Sequence, residues 1–266
     1  MCGVRLGGAG LGKARQGKEE VRVVFKTRTH GRHGANQSQR KRKEESAMKN
    51  FVFTLTGSAP LLLHHDNIGF ADEMDTWKND PANRKSSKKG DDRYPAYRWT
   101  GCLYTDKVRV VMPSDNIMSA LMSAGKMVPT GHGMETFKAQ TQSGMAIEGL
   151  SVPLVVNGKE IPVELVIKAR NIESDFNAQQ TLAAKYGVML FVKRATIGKN
   201  KHVRVRPRFD VWSVSGALNV WDESLTADIL ARIFDCAGRY KGLGDWRPGG
   251  RTPGPYGTFK AEITDG

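Results

Sequence analysis

The stretch that decides the fold is SLTADILARIFDCAGRY, residues 224–240. Ser224 is a residue type that favours a helix N-cap. The apolar residues that follow recur at every fourth position, which places them on one face of a helix. They are Leu225, Ile229, Ile233 and Ala237. A glycine-rich run, residues 242–257, follows this helix, and Thr258–Ile263 alternates in a way that predicts a final strand.

A second amphipathic helix is predicted after Pro113, which ends the preceding strand, with Ser114 as its N-cap. Its expected apolar face consists of Ile117, Leu121, Ala124 and Met127. Shorter helices are predicted in GFADEMDTWKND, residues 69–80, and over Phe176–Tyr186.

Alternation of apolar and polar residues predicts strands over much of the remaining chain. The single strands are Asn50–Gly57, Gly187–Thr196, Lys201–Val214 and Ala217–Trp221. The predicted hairpins are Tyr97–Tyr104 with Lys107–Met112, and Ser151–Val156 with Ile161–Ile167 around Asn157-Gly158. The expected fold class is therefore α+β, with a ferredoxin-like (RRM-like) β-α-β-β-α-β core. We expect one domain over residues 48–266, with long insertions at about 66–106 and 130–186.

The charge of the chain is distributed unevenly. It carries a net charge of +14 with a pI near 9.8, which suggests a polyanionic partner. Residues 1–47 contribute +8 of this, so the remaining chain has a net charge of only +6. Residues 1–47 are either a disordered basic arm or an over-extended gene start. The sequence KRKEESAMKN favours the second, because Glu44-Glu45 can be encoded by a purine-rich ribosome-binding sequence before Met48.

Several functional classes find little support in the sequence. Cys2, Cys102 and Cys236 lack the spacing of a disulfide framework or a zinc site, and a reducing, cytoplasmic location is expected. No apolar run is long enough to span a membrane. His64-His65-Asp66 and His132 lack ligand-spaced partners, and no nucleophile motif occurs. We therefore predict no catalytic residue, no metal and no cofactor.

The first candidate binding segment is the glycine-rich run GLGDWRPGGRTPGPYG at 242–257. Glycines allow backbone N–H groups to approach a phosphate closely, arginines supply charge, and aromatic rings stack on bases. The residues predicted to act in this way are Gly242, Gly244, Trp246, Arg247, Gly249, Gly250, Arg251 and Tyr256. The alternative is a plain helix-to-strand linker with a packed tryptophan. The run is no P-loop, since its glycines precede a strand.

The second candidate is the basic segment KRATIGKNKHVRVRPR, residues 193–208. In a strand, its last three arginines lie on one face about 7 Å apart, a spacing that suits successive phosphates of an extended single strand. The predicted binding residues are Lys199, Lys201, Arg204, Arg206 and Arg208. The alternative is a solvated hairpin edge. A third basic stretch, Arg84–Arg93 with Lys88 and Lys89, is a solvated loop or a clamp.

Two of these pieces resemble the RAMP superfamily, the ferredoxin-like RNA-binding proteins of CRISPR effector complexes. They are MPSDNIMSALMSAG at 112–125 and the glycine-rich run before the last strand. The chain also resembles an uncharacterised group of phage and mobile-element proteins. The shared motifs are LLLH at 61–64, P-x-x-N-I at 113–117, and GLGDWRP at 242–248 with G-x-F at 257–259. The RAMP resemblance implies binding of single-stranded RNA, often in a multimer; Asp245 and Pro248 depart from its loop pattern.

These observations lead to one preferred function and one rival. The preferred function is non-catalytic binding of single-stranded nucleic acid, with RNA favoured, as a homo-oligomer or as a subunit of a ribonucleoprotein complex. The sequence itself leaves RNA and DNA open, because no reader of the 2′-OH can be placed. The rival is a phage structural or assembly protein that self-associates without nucleic acid.

Overall fold

The computed structural model describes residues 48–85, 90–197 and 200–266. The predictions for residues 1–47, for Lys88 and Lys89, and for Lys199 lie outside the described residues. No helix among the described residues is long and apolar enough to cross a membrane.

The described chain contains helices and antiparallel sheets, so the α+β class is confirmed. The strands are β1 (Lys49–Gly57), β2 (Leu61–Leu62), β3 (Val111–Pro113), β4 (Met145–Ile147), β5 (Ser151–Val156), β6 (Lys159–Glu160), β7 (Met189–Ile197), β8 (Asn200–Phe209), β9 (Trp212–Val220) and β10 (Phe259–Asp265). The α-helices are α1 (Ile68–Asn79), α2 (Ser114–Gly125), α3 (Lys138–Ser143), α4 (Glu164–Arg170), α5 (Phe176–Lys185) and α6 (Ala227–Cys236). A π-helical turn, Ala237–Lys241, extends α6.

The larger sheet has the strand order β10-β1-β9-β5-β3, with β4 paired to β9 and β6 paired to β5. Alternate residues of β1 are buried on one face, where the ring of Phe53 lies 5.6 Å from that of Phe234 in α6. Helix α2 packs against α6 over the same core. The opposite face is more open, with Val52, Thr56 and Ser215 exposed. The main apolar core therefore lies between this sheet and the two helices.

The smaller sheet has the order β2-β8-β7 and contains the long β7–β8 hairpin. Val205 and Phe209 of β8 are fully buried, because one face of the hairpin packs into the protein. At the far end of β8, the backbone of Asp91 forms a bridge with Val203. In sequence, the β7–β8 hairpin is inserted between β5 and β9, which are neighbours in the larger sheet, whereas β2 lies between β1 and β3.

Both predicted helix starts are shifted by tertiary context. Thr226, rather than Ser224, caps α6: its side-chain oxygen accepts from the backbone N–H of Ile229. Ser114 is the first residue of α2 rather than its cap, and its buried hydroxyl has no hydrogen-bond partner in the described structure. Met127 lies beyond the end of α2 and is exposed, so its predicted place on the apolar face is wrong.

The predicted hairpin over residues 97–112 is wrong. Ala96–Cys102 forms a 3₁₀ helix, and its Trp99 is buried with the indole N–H donating to Gln179 at 2.8 Å. A single bridge between Thr105 and Val110 remains of the expected strand pairing. The partner of Trp99 is 80 residues away in sequence. Local alternation therefore does not reveal this segment's conformation.

The second predicted hairpin is correct in its turn but not in its length. Asn157 and Gly158 both have positive φ, as a two-residue hairpin turn requires. The return strand β6 ends at Glu160, and α4 follows instead of a strand to residue 167. Ile161, Leu165 and Ala169 are buried at a spacing of four, so the helical period overrides the short alternation. Since β5 belongs to the larger sheet, the expected insertion at about 130–186 does not lie wholly outside that sheet.

Candidate nucleic-acid interface

A groove of about 550 Å³ lies between the smaller sheet and the glycine-rich loop, residues 242–257. The sheet contributes Phe191, Lys193, Arg204 and Arg206 to its walls. From the loop come Gly244, Asp245, Trp246, Arg247, Gly250 and Arg251. The two segments singled out in the sequence therefore meet at one site, which we call the loop–sheet groove.

Other predicted residues do not line the groove. Lys201 is exposed near the start of β8, and Arg208 lies on the groove face of β8 beyond the lining. Gly242 and Gly249 lie within the loop, away from the groove surface. Tyr256 packs behind Trp246.

The apolar wall of the groove consists of the rings of Trp246 and Phe191, and Tyr256, outside the lining, packs against both and completes an aromatic cluster. The ring of Tyr256 lies 5.5 Å from that of Trp246 and 5.7 Å from that of Phe191 in β7. The ammonium group of Lys193 lies 3.1 Å from the centroid of the Trp246 ring, a cation–π contact. The cluster joins the loop to the hairpin, and it presents ring surface and positive charge side by side.

The glycines of the loop serve its internal packing. Gly244 has a φ of +75°, and a Cβ at that position would overlap the carbonyl oxygen of Leu62. A Cβ on Gly254 would overlap Trp246, and one on Gly257 would overlap the carbonyl of Leu243. The glycines therefore allow the loop to lie against β2 and against its own tryptophan.

Most of the loop's amides are also engaged within the protein. The N–H groups of Gly249, Gly250, Gly254 and Gly257 each donate to a backbone carbonyl. Asp245 N–H donates to Leu62 at 2.8 Å. This differs from the expectation that glycine amides face a phosphate. What the loop offers to a ligand is its side chains.

The arginines of β8 lie on one face, as predicted, opposite the buried Val205. Each is paired with a carboxylate, which the sequence did not indicate. Arg204 lies 3.1 Å from Asp92, and Arg208 lies 2.8 Å from Asp210. Arg206 lies 3.5 Å from Asp92 and 3.3 Å from Asp245. The row is therefore less available to phosphates than its charge suggests.

Asp92 organises the arginines at the base of the groove. Its side chain is 6% exposed and also lies 3.5 Å from Arg98 of the 3₁₀ helix. One buried carboxylate thus holds three guanidinium groups in place. The backbone pairing of residues 91–92 with Val203 positions it there. This role of Asp92 could not be predicted from the sequence, because Asp92 is separated from Arg204 by 112 residues.

A second set of cations lines the groove without a neighbouring carboxylate. Among the described residues, Lys193, Arg247 and Arg251 have no carboxylate within 4.0 Å. Arg247 donates to the carbonyl of Gly244 at 3.1 Å, which fixes it at the edge of the groove. Arg251 is exposed. These three cations keep their charge uncompensated at the rim.

His64 lies where the groove meets two neighbouring cavities. Its Nε2 lies 3.2 Å from a guanidinium nitrogen of Arg206, and its Nδ1 lies 3.9 Å from Asp245. Burial, followed by the charge of Arg206, lowers the pKa of His64 below its usual value. A neutral imidazole that accepts from Arg206 fits this geometry. His65, by contrast, stacks on Tyr104 at 4.4 Å, so the adjacent histidines occupy different environments.

Metal-binding geometry is not evident around these residues. The described part of the chain contains no group of three or more His, Cys, Asp or Glu side chains placed to hold a metal ion. His132 is exposed in a loop.

The chain matches no protein-family model, and a search of curated proteins finds no match either.

Proposed function

We propose that the chain binds single-stranded nucleic acid, with RNA favoured, in the loop–sheet groove and without catalysing a reaction. The observation that carries this proposal is the pairing of an aromatic wall with three uncompensated rim cations. Bases stack on aromatic faces with little regard to sequence, and the backbone phosphates pair with nearby cations. The preference for RNA comes from the resemblance to RAMP proteins.

The main chain supports a ferredoxin-like core for this protein. Strand β1 is antiparallel to β9, and β9 is antiparallel to β5, so β1 and β5 are parallel with β9 between them. By the same reasoning β9 and β10 are parallel with β1 between them. The connections β1–α2–β5 and β9–α6–β10 then form two split β-α-β units. This is the arrangement expected of a RAMP-like protein with long insertions.

In this proposal, the two sets of cations have different tasks. Lys193, Arg247 and Arg251 neutralise phosphates, because no internal carboxylate competes for them. Arg204 and Arg206, held by Asp92, form the polar floor against which the strand lies. Trp246 and Phe191 supply the stacking surface.

The test is oligonucleotide binding by a triple variant, Lys193→Ala with Arg247→Ala and Arg251→Ala. Single-stranded binding loses about 0.7 units of log–log salt slope per phosphate contact. We expect the variant to lose about two units of slope and about a hundredfold in affinity at 0.1 M salt. Fluorescence anisotropy with a labelled mixed-sequence RNA and its DNA counterpart measures both quantities.

The matched control removes the same charge elsewhere. Lys126, Lys138 and Lys260 are exposed cations remote from the groove lining. Their triple alanine variant is expected to bind nearly as the parent chain does. Equal losses in the two variants would show that only bulk charge matters, and salt-independent binding by the parent would overturn the proposal.

The rival function, self-assembly without nucleic acid, has one observation in its favour. Strand β10 is seven residues long and is the terminal strand of the larger sheet among the described residues. A free edge of this kind can pair with another chain. Light scattering with and without an oligonucleotide distinguishes the two: assembly of the chain by itself favours the rival, and assembly that requires the oligonucleotide favours nucleic-acid binding.

A further inference from the structure

A second cavity adjoins the loop–sheet groove. It has a volume of about 220 Å³ and shares three lining residues with the groove: His64, Arg204 and Arg206. Its outer wall comes from α1, and its inner wall comes from the 3₁₀ helix at 96–102. A liquid water occupies about 30 Å³, so the cavity has room for a group of several heavy atoms. We call it the side pocket.

The charges that line the side pocket nearly balance, with four cations, Lys78, Arg98, Arg204 and Arg206, and three carboxylates, Asp66, Asp75 and Asp92. Lys78 lies 2.8 Å from Asp75, and Arg98 lies 3.5 Å from Asp92. Arg204 and Arg206 share the same Asp92. A phosphate entering this space would approach carboxylates as closely as cations. The pocket therefore suits a neutral polar group better than an anion.

The surfaces that line the pocket favour a planar group. One wall presents the ring of Phe70, whose position depends on Gly101, because a Cβ there would overlap the ring. The shared wall presents the guanidinium groups of Arg204 and Arg206, which Asp92 holds in place. Aromatic rings and guanidinium planes are the surfaces on which unstacked bases lie in complexes with single-stranded RNA.

We propose that the side pocket receives one nucleobase turned out of the strand that occupies the loop–sheet groove. This inference rests on the proposed function. The base leaves the strand beside Arg204 and Arg206 and enters between Phe70 and the guanidinium groups. Its polar edge faces the side chains of Asn67, the N-cap residue of α1, and of Asp75 within that helix. Removing a base from the stack costs free energy, which the new stacking and hydrogen bonds offset.

The experiment fills the pocket and asks whether the protein still distinguishes a chain with bases from one without. Ala71 is an exposed residue of α1 that lines the pocket. Ala71→Phe places a ring in the opening of the side pocket without changing any charge, and Ala71→Leu fills less of the same space. Thr76→Phe is the matched control, because Thr76 is exposed on the same helix outside the lining.

Two probes are used with each variant, an RNA nonamer and an abasic sugar–phosphate chain of the same length. We expect Ala71→Phe to weaken binding of the RNA about tenfold, the effect of losing one stacked base. Ala71→Leu weakens it less, and neither variant changes binding of the abasic chain. Thr76→Phe leaves both affinities unchanged, and melting temperatures confirm that all variants fold.

The outcomes separate this inference from the proposed function. If the parent chain binds the RNA but Ala71→Phe and Ala71→Leu bind it equally well, the side pocket holds no base and the groove proposal stands. Equal losses on the RNA and the abasic chain also overturn the inference, since the pocket would then act on the backbone. If the parent binds neither probe, both proposals are wrong.

Discussion

The two sheets of the protein use β structure for opposite purposes. The larger sheet buries apolar residues such as Phe53 and Leu218 against two helices. The smaller sheet buries Val205 and Phe209 on one face and directs arginines to the other, where carboxylates hold them. In the first sheet, side chains stabilise the fold; in the second, one face belongs to the core and the other lines the loop–sheet groove. We therefore expect stability and the proposed binding to be separable by sheet.

The largest expected effect concerns the core of the larger sheet. Phe53→Ala removes a fully buried ring that contacts Phe234, and we expect a loss of 3–5 kcal/mol in the free energy of unfolding. Phe191→Ala, in the smaller sheet, removes a partly exposed ring. It is expected to weaken oligonucleotide binding about tenfold with a much smaller loss of stability. Urea unfolding and anisotropy titrations measure both. Equal destabilisation by the two changes would contradict the division of roles.

The second effect tests how the arginines are held. Asp92→Asn leaves three guanidinium groups without their buried counter-charge, and we expect a loss of about 3 kcal/mol in the free energy of unfolding. Asp210→Asn breaks the exposed pair with Arg208 and is expected to cost less than about 1 kcal/mol. Chemical unfolding of both variants checks the prediction. A small loss for Asp92→Asn would mean that the arginines do not depend on this carboxylate.

The third prediction concerns a substitution that should strengthen oligonucleotide binding. Asp245 lies in the groove beside Arg206, where its negative charge opposes a nucleic-acid phosphate. Asp245→Asn removes that charge and keeps the oxygen that accepts from the N–H of Trp246. We expect affinity for an RNA oligonucleotide to rise roughly fivefold, the effect of about 1 kcal/mol. Weaker binding by this variant would show that Asp245 instead contacts the ligand.

The smallest effect is a dependence of binding on pH. The lowered pKa of His64 keeps it neutral at pH 7, although Asp245 and Asp66 oppose the shift. A nucleic-acid phosphate in the groove favours the protonated form of His64. The affinity for an oligonucleotide should therefore rise as the pH falls below about 6.5, the ordinary pKa of a histidine. Stability changes in the reverse direction. Because the folded pKa is depressed, the contribution of His64 to stability is present above about 6.5 and is lost as the pH falls below it. The variant His64→Ala should remove this part of the pH dependence of binding, measured at constant ionic strength.

The sequence predicted the regular elements better than the irregular ones. Strand β1, helices α5 and α6, and strand β10 follow from periodicity, because each buries one face at its own period. The segment 96–102 could not be predicted in this way, since its conformation depends on the distant contact of Trp99 with Gln179.

The candidate site was predicted in part for a similar reason. Residue types identified the loop and the strand, and the period of a strand placed Arg204 and Arg206 on one face. The carboxylates that neutralise them, Asp92 and Asp245, belong to other segments and meet them through folding. The glycines, by contrast, were expected to bring backbone N–H groups close to a phosphate. Their partners, however, are carbonyl groups of the protein itself.

The insertion that carries the hairpin begins and ends at one point of the larger sheet. Val156, the last residue of β5, pairs directly with Trp212, the first residue of β9. The intervening residues start and end at strands that already lie side by side, so the pairing of β5 with β9 does not depend on how many there are. Lengthening a connection of this kind costs little conformational entropy. The hairpin is therefore an insertion in the connection between two strands of the larger sheet. Its length can therefore vary without disturbing the pairing of β5 with β9, while the loop at 242–257, which packs against β2, keeps the other wall of the groove in place.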